Sequence, residues 1–349
     1  MLIDFNNLNI NQLSFEKEFE QKIKIFLEEW FSDSDTVKVQ TSGSTGVPKV
    51  FDIEKKKMVN SAEMTCNFLN LKEGNTALIC LPVEYISGKM MIVRSIVRKL
   101  KLMVADPSVK PIEGLDHEID FCAMTPLQVE NSLDKLHLIK NLIIGGAAVS
   151  ENLKTKILDK LTTINQQLPT KAFETYGMSE TLSHIALKQI APWLENYFTV
   201  FENIAISTDE RGCLKVFAPD LNNKVLQTND LVEIKPSDSP QIGNRQFRFL
   251  GRIDNVINSG GAKIFPEELE SLVKKEISNE VVFLGKNDEN FGQKLIIVIE
   301  GEESQELIDK ISIIPFEKSF HKPKEIIFTN KIPRTPNGKV NRIELKNIL

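Results

Sequence analysis

Apolar residues recur along this chain in two rhythms. Phe15, Phe19, Ile23, Phe26 and Leu27 fall three or four apart, the spacing of one helical face, and predict a helix before Trp30. Met58, Ala62, Cys66 and Leu69 repeat in the same way and predict a second helix turned toward a core. Short apolar runs at 76–81, 121–124 and 142–144 have the length of buried strands. A helix at 89–99 and a strand at 101–104 lie among them. Alternation of this kind predicts a large α/β layered domain with a substantial parallel sheet.

From about residue 204 the texture changes. Short alternating runs at 204–206, 213–217, 231–234 and 247–249 are separated by turn residues, which predicts a β-rich subdomain. Gly251-Arg252-Ile253-Asp254 marks a boundary. Beyond it come a helix at 266–275, strands at 281–283 and 295–299, and a helix at 304–311. The expected division is an N-terminal domain, 1–250, and a small α+β domain, 251–349, large enough to fold as a unit.

Composition narrows the function classes. The 349 residues carry the charged and hydrophobic fractions of a soluble globular protein, with a net charge of −5. That balance argues against a nucleic-acid binder, which needs a basic face. No apolar run reaches the length of a membrane span, and the first residues lack a basic, then apolar leader, so a cytoplasmic chain without membrane insertion is expected. Cys66, Cys80, Cys122 and Cys213 have no paired spacing and read as reduced, buried small side chains. The four histidines show no metal-ligand spacing.

The densest chemistry lies in Thr41-Ser42-Gly43-Ser44-Thr45-Gly46-Val47-Pro48-Lys49, after the alternating run Val37-Lys38-Val39. Hydroxyls, glycines and one cation crowd into nine residues, so many donors address one small volume. Only an oxygen-rich anion uses them all, and the glycines let the backbone approach a phosphate. A Ser/Thr/Gly cluster is ordinarily a plain loop, but Pro48 fixes the exit direction. The spacing is not that of a Walker A loop. The segment reads as a polyphosphate loop, for ATP.

These nine residues resemble the phosphate loop of the acyl-adenylate-forming ligases, the acyl-CoA synthetase superfamily. Further segments follow in the order that family requires: Gly145-Gly146-Ala147-Ala148, Glu174-Thr175-Tyr176-Gly177-Met178-Ser179-Glu180-Thr181, Thr228-Asn229-Asp230, Gly251-Arg252-Ile253-Asp254, Ser259-Gly260-Gly261-Ala262-Lys263-Ile264 and Pro333-Arg334-Thr335-Pro336-Asn337-Gly338-Lys339-Val340. The resemblance runs from about Val37 to the end. It implies a large α/β domain with a β-rich subdomain and a small mobile C-terminal lid, hinged near Asp254. Within the superfamily, Tyr85-Ile86-Ser87-Gly88 with Arg94-Ser95, and the run from Glu174 to Ile185, resemble the o-succinylbenzoate–CoA ligases of menaquinone biosynthesis. Two departures stand out. The phosphate loop comes so early that most of the usual N-terminal subdomain is expected to be missing, and Tyr85 stands where many relatives have a histidine.

The resemblance also implies roles. Thr41, Ser42, Gly43, Ser44, Thr45, Gly46 and Lys49 would hold the ATP phosphates, and Glu180 would bind Mg²⁺. Tyr176 would pack on adenine, with Gly145, Gly146 and Gly177 leaving room and Glu174 and Thr175 alongside. Ser179 and Thr181 would meet phosphate or acyl oxygens, and Asp230 and Arg252 the ribose. Lys339, with Lys49, would neutralise charge during adenylation. Gly260 and Gly261 would line the coenzyme A path. Tyr85, Ser87, Gly88 and Met178 would border the acyl group, with Arg94 pairing its second carboxylate. The expected partners are a small carboxylic acid, ATP and CoA, while self-association stays open. Another acyl- or aryl-CoA ligase, a carrier-loading adenylation enzyme and a nucleotide-binding pseudoenzyme are the competing readings.

Overall fold

The architecture follows from the two-residue alternation of the central strands. The computed structural model describes residues 1–40, 50–164 (backbone only at 163 and 164), 170–236, 245–289, 291–334 and 340–349. Thr41, Ser42, Gly43, Ser44, Thr45, Gly46, Lys49 and Lys339 therefore lie outside the described residues.

In chain order the first elements are β1 (Leu2–Asp4), α1 (Glu18–Trp30), β2 (Thr36–Gln40), β3 (Val50–Glu54), α2 (Lys55–Phe68), β4 (Thr76–Ile79) and α3 (Ile86–Val97). Next come β5 (Lys101–Val104), β6 (Ile119–Met124), α4 (Pro126–Glu130), β7 (Ile139–Ile144), α5 (Glu151–Ile164), β8 (Lys171–Gly177) and β9 (His184–Ala191). β10 (Phe198–Val200), β11 (Ala205–Thr208), β12 (Cys213–Ala218), β13 (Asn222–Lys235) and β14 (Gln246–Arg252) follow. The rest is β15 (Ile257–Ser259), β16 (Ala262–Ile264), α6 (Pro266–Val273), β17 (Val281–Asp288), β18 (Gly292–Glu300), α7 (Gln305–Ile313), β19 (Glu325–Thr329) and α8 (Arg342–Asn347).

Twelve strands make one sheet in the order β1-β5-β4-β6-β7-β8-β9-β10-β14-β13-β12-β11. The run β5-β4-β6-β7-β8 is parallel, and everything beyond β8 is antiparallel. The β-rich segment thus continues the parallel sheet by direct hydrogen bonding through β10 and β14.

Successive side chains of a strand point to opposite faces. Ala77, Ile79, Phe121, Ala123 and Ile143 join one core with α1, α2 and α3, whereas Leu78, Cys80, Cys122, Met124, Leu142 and Ile144 join another with α5. Both faces are covered, which is why these runs read as continuously apolar rather than alternating. The helical stripes supply the cover: Ile23, Phe26 and Leu27 of α1 and Met58, Ala62 and Cys66 of α2 are buried. Each such large apolar side chain contributes about 1.5–3 kcal/mol by leaving water. The four cysteines are free and buried, as expected.

The last hundred residues form a second sheet, β16-β15-β18-β17, with β19 pairing parallel to β18. It has its own apolar core, built on Leu269 and Val273 of α6 and alternate residues of β17 and β18. Among the described residues no helix is long and apolar enough to cross a membrane.

Candidate active site

Parallel strands end at one edge of their sheet, and ligands of open α/β sheets bind outside those carboxyl ends. Three of the candidate segments leave that edge. Tyr85, Ser87 and Gly88 follow β4, Gly145 and Gly146 follow β7, and Tyr176 and Gly177 end β8. Tyr85 is half-buried at the start of α3 and makes a parallel bridge with Gln40, the residue that precedes Thr41. Ser87 is exposed on the first turn of α3, and Gly88 is buried there.

Two places demand close approach. A Cβ on Gly177 would stand 2.5 Å from the His184 Cα, because β8 and β9 pair there across a register shift. A Cβ on Gly145 would meet the Thr175 hydroxyl at 2.6 Å.

The strand-end cluster is bound to the antiparallel half of the sheet by Tyr176. Its ring lies edge-on to Phe247, with centroids 4.9 Å apart, and its hydroxyl donates to Asp230 Oδ2 at 2.6 Å. Burial, with the Asp230 charge beside it, pushes the phenol well above its ordinary value, so the group keeps its proton. Asp230 sits on β13 opposite Arg252 of β14, beside a register shift between Leu231 and Val232 at which β14 carries one extra residue, Leu250. Bulges re-aim side chains, and this one lies where the carboxylate is presented. Arg252 Nη1 is 3.9 Å from Asp230 Oδ1, and its Nη2 donates to Asp254 Oδ2 at 2.9 Å.

After Gly177 the chain makes a 3-10 turn, Ser179–Thr181, and then a strained reversal. Leu182 has φ +67° and ψ −51°, and Ser183 N donates to Thr181 O at 2.7 Å. That is a γ-turn of the rare hand, costing about 1–3 kcal/mol for a residue with a Cβ. It leaves Ser179 and Glu180 exposed and sends His184 inward, while Met178 is half-buried.

Beneath that reversal lies Arg94 of α3, only 2% exposed. Among the described residues its Nη2 donates to Ser183 Oγ at 3.2 Å, its Nη1 has only the Met91 sulfur at 3.9 Å, and its Nε has no partner. Among the described residues no carboxylate pairs with it. Burial pushes the guanidinium down to about 10. Ser183 continues to His184 Nδ1 at 3.4 Å, and His184 Nε2 to Thr65 Oγ1 at 3.1 Å. Thr65 donates its one hydroxyl proton to Ser61 O, so it accepts from Nε2–H, and Nδ1 accepts from Ser183. Burial first, and Arg94 second, hold His184 well below its usual range, in the neutral form this chain requires. Ser183, His184 and Thr65 were not anticipated as a relay, because only the tertiary approach of α2, α3 and β9 joins them.

Two expectations are corrected. Thr181 is fully buried, and its hydroxyl lies within bonding distance of Met178 O at 3.0 Å and Ser183 O at 2.9 Å, so it braces the turn. The Glu174 carboxylate is buried between Lys188 Nζ, 2.9 Å, and Lys154 Nζ, 3.3 Å, and accepts from Val149 N. Burial raises its proton affinity, but the two lysines outweigh this and hold the carboxyl below its ordinary value. Only its main chain remains for a nucleotide.

Gly260 and Gly261, with φ +56° and +82°, form the two-residue turn between β15 and β16. Positive φ at both central positions defines a type I′ hairpin, which suits glycine. Among the described residues no hydrogen bond or ion pair joins them to the Tyr176–Asp230 cluster. No group of three or more His, Cys, Asp or Glu among the described residues suits a metal ion. A lone exposed carboxylate such as Glu180 fits a magnesium ion that takes its other oxygens from phosphates and water.

A family model described as AMP-binding enzyme matches residues 3–204. The 2-succinylbenzoate–CoA ligase of Lactococcus lactis subsp. lactis is 25% identical over 325 residues, covering 88% of this chain and 70% of that protein. A solved acyl-CoA synthetase (AMP-forming)/AMP-acid ligase II-like protein from Dyadobacter fermentans is 32% identical, with TM-score 0.63 and 97% of each chain covered. The o-succinylbenzoate coenzyme A synthetase of Bacillus subtilis, solved with ATP and magnesium ion, shares the fold at 20% identity and TM-score 0.69, over 88% of this chain and 69% of that one. The chain therefore has the adenylate-forming ligase fold and belongs to the AMP-binding enzyme family, that of the AMP-forming acyl-CoA synthetases and acid ligases.

Proposed function

We propose that this chain joins o-succinylbenzoate to coenzyme A, consuming ATP and releasing AMP and pyrophosphate. The observation that carries the choice of acid is Arg94. A buried cation with unfilled donors and no carboxylate partner among the described residues is costly unless a ligand anion completes it. An acid with a second carboxylate, remote from the reacting one, supplies that anion. The similar 2-succinylbenzoate–CoA ligase of Lactococcus lactis supports the same substrate.

The reaction needs two steps in one place. A carboxylate is a weak nucleophile and ATP repels it, so position and charge cancellation are what the protein must provide. In this reading the 41–49 segment, with Lys49, holds the phosphates, and Asp230 with Arg252 takes the ribose. The Tyr176 face receives the adenine. Glu180 would hold magnesium, which when bound neutralises phosphate charge. The substrate carboxylate attacks the α-phosphorus, pyrophosphate leaves, and Lys339 offsets the developing charge. The thiolate of coenzyme A, admitted past Gly260 and Gly261, then attacks the acyl carbon of the acyl-adenylate, forming the thioester as AMP leaves. Residues 251–349 act as a lid that turns near Asp254 between the steps, a known means of separating half-reactions.

The products test this. Incubation with o-succinylbenzoate, ATP and CoA should give AMP, pyrophosphate and the aryl thioester by mass spectrometry. ADP and phosphate, or a thioester formed from another acid alone, would refute it.

A further inference from the structure

We infer that Arg211 is a positioning residue that sets the amide of Asn229 and, through it, the carboxylate of Asp254. The inference rests on the reading of Asp254 as the hinge and Asp230 as the ribose acceptor.

Arg211 lies in the turn between β11 and β12, in none of the motif segments quoted from the sequence. Its own backbone turn fixes it. Asp209 Oδ1 accepts from the main-chain N–H groups of Arg211 and Cys213, both at 2.9 Å. Asp209 Oδ2 takes both Arg211 Nε at 2.9 Å and Nη2 at 2.8 Å, so one carboxylate oxygen caps one edge of the guanidinium. The other side addresses the β13 segment that presents Asp230. Nη2 donates to Thr228 O at 3.0 Å, and Nη1 to Asn229 Oδ1 at 3.1 Å.

The second bond decides an orientation. An amide side chain has one accepting and one donating end. With the Asn229 oxygen committed to Arg211, its NH₂ must face the other way, and there it reaches both Asp254 oxygens, at 3.3 and 3.2 Å. Asp254 also accepts from Arg252, whose Nη1 faces Asp230. Without Arg211, Asn229 is free to turn its oxygen toward Asp254, which replaces an attraction with a repulsion. The β11–β12 turn therefore reports to the hinge and the ribose carboxylate at once.

Arg211, Arg252 and Asp254 are about half exposed, so each of their contacts is worth little alone, and the effect is one of aim rather than of fold stability. The test uses the whole chain and compares Arg211→Ala, Asn229→Ala and the double variant. The readouts are the ratio of adenylation to thioester-formation rates with o-succinylbenzoate, the ATP Kd by calorimetry, and the melting temperature. Each single variant should move the rate ratio by about threefold to tenfold, and the double variant no further than one single, since both act through one bond. Arg211→Lys should not rescue, because a single ammonium cannot hold Asp209 and also reach Thr228 O and Asn229 Oδ1 in the fixed geometry of a guanidinium. Additive shifts, or an unmoved ratio with wild-type half-reactions intact, overturn this role alone. A wild-type chain that binds ATP yet adenylates no acid overturns the ligase reading and this role with it.

Discussion

The Tyr176 hydroxyl donates to Asp230 Oδ2 at 2.6 Å, tying the end of the parallel half of the sheet to a bulge in the antiparallel half. It orients one carboxylate oxygen and leaves the other beside Arg252. Tyr176→Phe should raise the ATP Kd about threefold to tenfold by loosening that aim, and Asp230→Ala about tenfold to a hundredfold by removing charged hydrogen bonds. Calorimetric titration with ATP checks both, and tighter binding by Tyr176→Phe would show that the bond obstructs the site instead.

Arg94 predicts a trade of stability against function. Arg94→Met keeps the bulk and removes an unpaired buried charge, so the melting temperature should rise. The same change should cut kcat/KM for o-succinylbenzoate by about a hundredfold or more while leaving the ATP Kd unchanged. A melting scan and steady-state kinetics on one preparation decide it.

His184 predicts acid sensitivity. Its folded-state proton affinity is depressed, so the unfolded chain binds the proton first. The stability from this group is complete above the ordinary histidine value of 6.5 and is lost as the pH falls below it. His184→Gln should flatten that fall between about pH 6.5 and 5. Denaturant midpoints across this range, in both proteins, are the check.

Much of the layered fold was legible because burial on both faces writes itself into strand composition. The runs at 76–81, 121–124 and 142–144 became β4, β6 and β7, and the Met58-Ala62-Cys66 stripe became the inner face of α2. The direction of single polar side chains was not legible. Thr181 and Glu174 sit within the family-like segment, yet one braces a γ-turn and the other sits between two lysines, because packing of β9 and α5 decides where they point. Arg211 stands 18 residues from Asn229, and His184 stands 119 residues from Thr65, so no local pattern announces those bonds.

Lys339→Ala should separate the half-reactions. Adenylation should fall by about a hundredfold to a thousandfold, as for loss of a transition-state charge contact, while thioester formation from supplied acyl-adenylate stays within about threefold. Equal losses in both steps, seen by rapid quench, would remove the two-state lid from the account.

The most direct measurement is pyrophosphate release across a panel of carboxylic acids with CoA present. A signal that needs ATP, is strongest with o-succinylbenzoate, and disappears for that acid in Arg94→Met is the expected result. Release driven by benzoate or a fatty acid but not by o-succinylbenzoate, or no release from any acid, would contradict it.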